Sequence, residues 1–386
     1  MMRATFLCLL CCLSFTVTQA ASPAQPSAPI QIIYTLDGTT LSTYNIDPLT
    51  LQPTLAGTFT VETSLYGWIY PSPNGHFLYF VASNGNQSSP QLFVYATDAS
   101  GVPQLPAVQK LSVNGFGGLQ SDPAGHFLYM ANYAADGSYD TLYILRRYLV
   151  DLNTGKISQP LVEAKYVLPN FDADSCGMFL NGFNSAGTTM YDGVDCVSHE
   201  GPGSTYYERT LNPQTGALGP DTQVFAWSLL NGGSESVSFV KNLMFNFVVA
   251  DDWQQGIGSV NVYPLVPNTN TPLLQCTATM LEACGYGAGI RVHPSGEYVF
   301  MDIGSGVEEV EKADLNSKTI TDTSYYIPYP FGAFSPDGSL VYAVNLSSSG
   351  FYIEIYGFNV STGAVTPGQY IYVPQQTDNW LPAERY

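Results

Sequence analysis

The residues best suited by type and spacing to do chemistry are three acids and one base. Asp172 and Asp174 stand two apart in Phe171-Asp-Ala-Asp-Ser175, Glu235 follows Asn231-Gly-Gly-Ser, and Arg291 ends Gly285-Tyr-Gly-Ala-Gly-Ile. Carboxylates so placed offer oxygen ligands to a hard cation such as Ca²⁺, or acceptors to the hydroxyls of a polyhydroxylated molecule, with Arg291 as counter-charge. The same acids also read as solvated loop residues in an acidic chain. Ca²⁺ is the one cofactor the acids suggest, and none is demanded.

Other reaction types find less support. There is no Gly-x-Ser-x-Gly elbow for a serine nucleophile, and a pair of acid–base carboxylates can be drawn from any four acids, so a glycosidase is not indicated. His76, His126, His199 and His293 stand singly and no Cys-x-x-Cys occurs, which argues against a zinc-type site. His76 and His126 hold equivalent positions in the repeat described below and read as architectural. Asp251-Asp252-Trp253 reads as a turn after a strand.

The N-terminus sets the compartment. Met1-Met2-Arg3, an apolar run from Ala4 to Val17 and the small residue Ala20 have the layout of a secretory signal peptide over residues 1–20. The run is shorter than the ~20 apolar residues a membrane span needs, so the mature chain is expected to be exported, periplasmic or extracellular, with no span left. Residues 21–29, rich in Pro, Ser and Ala, read as a flexible leader. Cys8, Cys11 and Cys12 leave with the signal, so four of the 7 cysteines remain. An even number in an oxidising compartment suggests disulfides, with Cys176–Cys196 and Cys276–Cys284 as the local pairings.

The formal net charge is −19, with 12 Lys and Arg against 31 Asp and Glu. Nucleic-acid binding requires phosphate neutralisation, and this surface would repel phosphates. An anionic membrane is disfavoured for the same reason. The partners left are a small molecule, a polysaccharide or a protein, met by a monomer. Asn86-Gln-Ser88, Asn345-Leu-Ser347 and Asn359-Val-Ser361 fit the glycosylation acceptor pattern, relevant in a eukaryotic source.

One element recurs along the chain: a short β-rich run, a polar turn, then a second run. Its copies begin at Thr40, Leu92, Tyr148, Tyr206, Val260, Val310 and Ile353. A second element, a Pro-x-Gly turn entering an aromatic strand, is clear at Pro71–Tyr79, Asp122–Tyr129, His293–Phe300 and Ser335–Tyr342. It is degraded at Asn184–Tyr191 and Val240–Phe247. Pro presets one turn dihedral and Gly accepts positive φ. The turn glycines Gly101, Gly155 and Gly216 recur at about fifty residues, the spacing of propeller blades. No helix of any length is signalled. The expected fold is an all-β, seven-bladed propeller of four-stranded blades over residues 30–386. With one fewer entry turn than strand-turn copies, the chain begins inside a blade, and its ring should be closed by N- and C-terminal strands, the latter at Tyr370-Ile-Tyr-Val373. Segments leading into the inner strands, which carry Asp172, Asp174, Glu235 and Arg291, would line the channel mouth.

These repeats resemble the lactonase family of seven-bladed propellers, related to the YVTN-repeat proteins. The resemblance runs from Ile30 to the C-terminus and is carried best by Asp122-Pro-Ala-Gly-His-Phe-Leu-Tyr129, Ala288-Gly-Ile-Arg-Val-His-Pro-Ser-Gly296 and Phe334-Ser-Pro-Asp-Gly-Ser-Leu-Val-Tyr342. Members include bacterial phosphogluconolactonases and fungal muconate-lactonising enzymes, so the resemblance implies lactone chemistry. The family's reactive positions do not carry over. Its Pro-His motif matches Pro169-Asn170 here, and its Asn-Arg-Gly matches Asp302-Ile303-Gly304. A phosphorylated or multiply carboxylated lactone needs cations, and the mouth segments supply Arg291. The reading favoured is an exported, non-catalytic binding module using the channel mouth, the alternative being a hydrolase of a neutral or sugar-derived lactone.

Overall fold

Two turns, repeated with small variations, organise the chain. The structure is a computed structural model that describes residues 30–61, 66–83, 90–113, 118–135, 141–168, 176–184, 186–196, 205–226, 235–240, 243–249, 258–264, 274–277, 289–302, 307–329, 331–347, 350–373 and 380–385. In the first turn the amides of Gly75, Gly125, Gly187, Gly296 and Gly338 donate to the carbonyl three residues back at 2.8–2.9 Å. These glycines have φ between 63° and 74°, a region that favours glycine. The residue opening the turn also caps the strand that follows. Asp122 Oδ1 accepts the Phe127 amide at 2.6 Å, and Ser335 Oγ accepts that of Leu340 at 2.9 Å. Asn184 Oδ1 accepts the Thr189 amide at 3.1 Å, so the copy without proline still forms the whole turn. The second degraded copy has lost it: Val240 pairs directly with Leu243 across a two-residue hairpin.

The second turn closes the strand-turn repeat. The amides of Gly155, Gly216 and Gly363 donate to the carbonyls of Asp151, Asn212 and Asn359 at 2.7–2.8 Å. Each glycine presses on the sheet before it. A Cβ at Gly155 would lie 2.3 Å from Phe77, one at Gly216 would lie 2.4 Å from Phe127, and one at Gly363 would lie 2.7 Å from Tyr298. In the first repeat Leu51 takes this place, with φ 57°. There the glycine requirement moves to the neighbour, because Gly368 receives the Leu51 side chain, and a Cβ at Gly368 would fall 2.4 Å from it.

The strands between these turns form seven four-stranded antiparallel sheets. The first is β28 (Trp380–Arg385), β1 (Ile30–Asp37), β2 (Thr40–Asp47) and β3 (Gln52–Thr60), and the second is β4 (Tyr66–Pro71), β5 (Phe77–Ser83), β6 (Gln91–Ala96) and β7 (Gln109–Ser112). The third is β8 (Gly118–Ser121), β9 (Phe127–Ala135), β10 (Thr141–Leu149) and β11 (Leu161–Leu168). The fourth is β12 (Cys176–Phe183), β13 (Thr189–Cys196), β14 (Thr205–Thr210) and β15 (Thr222–Ala226). The fifth is β16 (Glu235–Val240), β17 (Leu243–Val249), β18 (Gly258–Pro264) and β19 (Leu274–Thr277). The sixth is β20 (Gly289–Val292), β21 (Tyr298–Asp302), β22 (Glu308–Asp314) and β23 (Thr319–Ile327). The seventh is β24 (Phe331–Phe334), β25 (Leu340–Ser347), β26 (Gly350–Asn359) and β27 (Ala364–Val373).

The strands have side chains buried on both faces, so successive residues serve different seams. Ile32 and Tyr34 pack toward the second sheet, whereas Ile33 packs with Tyr342 and Ile353 of the seventh. Clusters of buried residues fill the seams between sheets one and two, two and three, three and four, five and six, six and seven, and seven and one. The fourth and fifth sheets meet through β12 and β16. The cyclic order is complete, and the fold is an all-β propeller.

The ring closes with a C-terminal strand, but not the expected one. Tyr370-Ile-Tyr-Val373 lies in β27, where Ile371 and Val373 are buried and Tyr370 and Tyr372 are exposed, the alternation of an outer edge strand. The closing strand is β28, with Thr35 opposite Trp380 and Ile30 opposite Arg385. Pro382 is tolerated there because β28 is an edge of its sheet. The expected signal peptide and leader, residues 1–29, lie outside the described residues.

Candidate functional site

The strands β28, β4, β8, β12, β16, β20 and β24 form the inner edges of the sheets, and β12 and β20 both lie beside β16. Each inner strand is entered from the outer strand of the preceding sheet, β28 from β27 of the seventh, so these entries gather at one end of the ring. That end is the candidate mouth. Glu235 is the first residue of β16, in register with Val248, and Arg291 is the third residue of β20, in register with Phe300. The two are therefore on neighbouring inner strands. The Arg291 side chain is exposed, and its Nη1 donates to the Ile290 carbonyl at 2.9 Å. Asp172 and Asp174 lie outside the described residues, as does Cys284. Cys276 is in β19 opposite Val260, and Cys176 stands opposite Cys196.

Two of the chain's 12 Lys and Arg are committed far from the mouth. Arg209 is buried and its Nε meets Asp192 at 2.9 Å, with Asp221 farther off at 3.7 Å. Burial raises the Asp192 carboxyl above the ordinary carboxylate range, and the charge on Asp221 adds to it. Arg147 pairs with Glu163 at 2.9 Å, and Glu163 also accepts the Leu218 amide of the next sheet at 2.9 Å. These cations hold the seam between the third and fourth sheets. Arg147 follows Arg146 directly in the chain, and nothing in the sequence spacing points to Glu163 as its partner.

Glu311 was also missed. It is fully buried in β22, opposite Val299, and neither carboxyl oxygen has a hydrogen-bond partner among the described residues. Burial first, then the charges of Asp322 and Glu309, pushes its carboxyl up to about 8. Among the described residues no group of His, Cys, Asp and Glu could hold a metal ion.

His293 proves structural. It is buried, with Nδ1 2.8 Å from Ser295 Oγ and Nε2 2.8 Å from the Gly338 carbonyl, bridging the sixth and seventh sheets. His76 and His126 stand at equivalent turns with exposed side chains, and their carbonyls accept the amides of Thr97 and Val150 at 3.0 and 2.9 Å. A hollow of about 440 Å³ lies at the opposite end of the ring from the mouth, lined by Leu243, Ser295, Glu297, Lys312, Asp314 and Asn316 among others. Lys312 Nζ sits 5.8 Å from the centre of the Tyr298 ring. Sequence spacing gave no sign of this hollow, because its residues come from three separate hairpin turns.

No protein-family model matches the chain, and no curated protein matches it. Solved structures do. A protein from Bacteroides uniformis solved as a candidate 6-phosphogluconolactonase aligns with a TM-score of 0.60 at 14% identity, covering 92% of this chain and 99% of its own. The periplasmic gluconolactonase of Pseudomonas aeruginosa aligns with a TM-score of 0.57 at 14% identity, covering 92% and 99%. A protein from Lactobacillus plantarum aligns at 0.55 and 13% identity, covering 90% and 97%. At such identities the likeness establishes the architecture alone: this chain shares the β-propeller fold of these structures.

Proposed function

We propose that this chain is an exported, lactonase-like, seven-bladed propeller that binds a neutral, polyhydroxylated ligand at its channel mouth without turning it over. The observation that carries this reading is the placement of Glu235 and Arg291 on the adjacent inner strands β16 and β20. Asp172 and Asp174 are taken to join them from the segment that enters β12. One base among several acids suits hydroxyls or a bound Ca²⁺ better than a phosphorylated ligand. Polysaccharide or protein partners at the same face remain within this reading, and a monomer suffices for it. Export is supported by the signal-like N-terminus and by the periplasmic character of one structural neighbour.

A second reading, hydrolysis of a neutral or sugar-derived lactone, is favoured by the two neighbours described as a candidate 6-phosphogluconolactonase and a periplasmic gluconolactonase. Calorimetry on the mature chain separates the readings from each other and from no binding. Ca²⁺, neutral oligosaccharides and sugar lactones form the panel. Saturable heat that disappears in Glu235→Ala, with the lactones recovered intact, is expected. No heat with any member of the panel would overturn the proposal.

A further inference from the structure

We propose that Cys176 and Cys196 are joined by a disulfide across the first two strands of the fourth sheet. Cys176 opens β12, Cys196 closes β13, and the antiparallel register sets them directly opposite one another. Directly opposite residues of an antiparallel pair share a face, with Cα atoms about 4.5 or 5.5 Å apart. Both separations fall within the roughly 4.4–6.8 Å over which a disulfide closes without moving the backbone.

The register that achieves this depends on a bulge. Near the hairpin, Phe183 pairs with Met190 and Gly182 with Tyr191, but beyond the bulge Leu180 pairs with Asp192. Without the extra residue, Cys176 would face residue 197. Gly182, at φ 108°, supplies the backbone conformation that the irregularity uses. The bulge therefore brings cysteine opposite cysteine at the far end of the pair. The link would hold the mouth end of an inner strand, just after the segment carrying Asp172 and Asp174. Register alone opposes the two cysteines, whatever the mouth binds.

The chemistry is thiol–disulfide exchange with a disulfide oxidant such as oxidised glutathione. The two cysteines form one S–S bond, the oxidant's S–S bond breaks, and both protons and both electrons end on the two glutathione thiols. Trypsin offers a direct test. No Lys or Arg lies between Lys165 and Arg209, nor between Lys241 and Arg291, so Cys176 and Cys196 share peptide 166–209 while Cys276 and Cys284 share peptide 242–291. The folded full chain is equilibrated with oxidised glutathione, blocked with iodoacetamide, denatured and digested without reduction. Peptide 166–209 is expected unlinked, unalkylated and about 2 Da lighter than its reduced form, for the two hydrogens lost. Alkylation or glutathionylation of either cysteine, or a link between the two peptides, would overturn the inference.

Discussion

Replacing Gly216 by alanine tests whether the turn glycines hold the sheets together. Two costs are added. At φ 70° an L-residue is in the left-handed region, at about 1–2 kcal/mol. The new Cβ would also lie 2.4 Å from Phe127 Cδ1 and 2.6 Å from Cε1 and Cγ, a ring buried in the seam between the third and fourth sheets. Overpacking of this kind costs about 1–3 kcal/mol, so the sum is about 2–5 kcal/mol. Gly38 is the internal control. Its φ is 57°, but nothing lies within 4 Å of a Cβ placed there, so Gly38→Ala should show the backbone cost alone. Urea unfolding of wild type, Gly38→Ala, Gly216→Ala and Gly216→Ala with Phe127→Ala measures both terms. The expected order has Gly216→Ala least stable of the single glycine variants, with Phe127→Ala relieving part of its excess. Equal losses at Gly38 and Gly216 would refute the docking of turn on ring.

Glu311→Gln should change how stability responds to pH. The folded carboxyl is held up to about 8 by burial and by Asp322 and Glu309, so its contribution is complete below the ordinary carboxylate range. It falls by at most about 1.4 kcal/mol per pH unit as pH rises toward 8. The variant should therefore gain on wild type from pH 5 to 8 in thermal unfolding, and a constant difference would contradict this. Arg209→Met strands the buried Asp192 and should cost about 3–5 kcal/mol, whereas changing both residues to apolar ones should recover much of that loss. Denaturant titration of the single and double variants checks it. Reducing a Cys176–Cys196 link opens a loop of about 20 residues and should lower stability by about 3 kcal/mol. Urea midpoints with and without dithiothreitol would read this, and no shift would count against the link's contribution.

Much of the fold was legible because the turns are written in local chemistry. Asp122-Pro-Ala-Gly and Ser335-Pro-Asp-Gly announce a positive-φ glycine and a capping side chain, and both are found where expected. What escaped was whatever depends on distant residues. Leu51 does a glycine's work because Gly357 and Gly368 make room for it from the far end of the chain. The closing strand was misplaced because Trp380-Leu-Pro-Ala-Glu-Arg385 lacks strand alternation, whereas Tyr370–Val373 has it and is already paired with β26. The buried partners of Arg147 and Arg209 come from other strands or the next sheet, so no local motif records them. Glu235 and Arg291 lie on the neighbouring inner strands β16 and β20, a placement the repeat made legible because it determines which strands are inner.

The proposed function requires the mouth to bind without catalysis. A hydrolysis assay on a panel of neutral and sugar-derived lactones, run on the mature chain and on Arg291→Ala, tests it most directly. No turnover above the uncatalysed rate is expected for either protein. Turnover by the unmodified chain that Arg291→Ala abolishes would contradict it and establish the mouth as an active site.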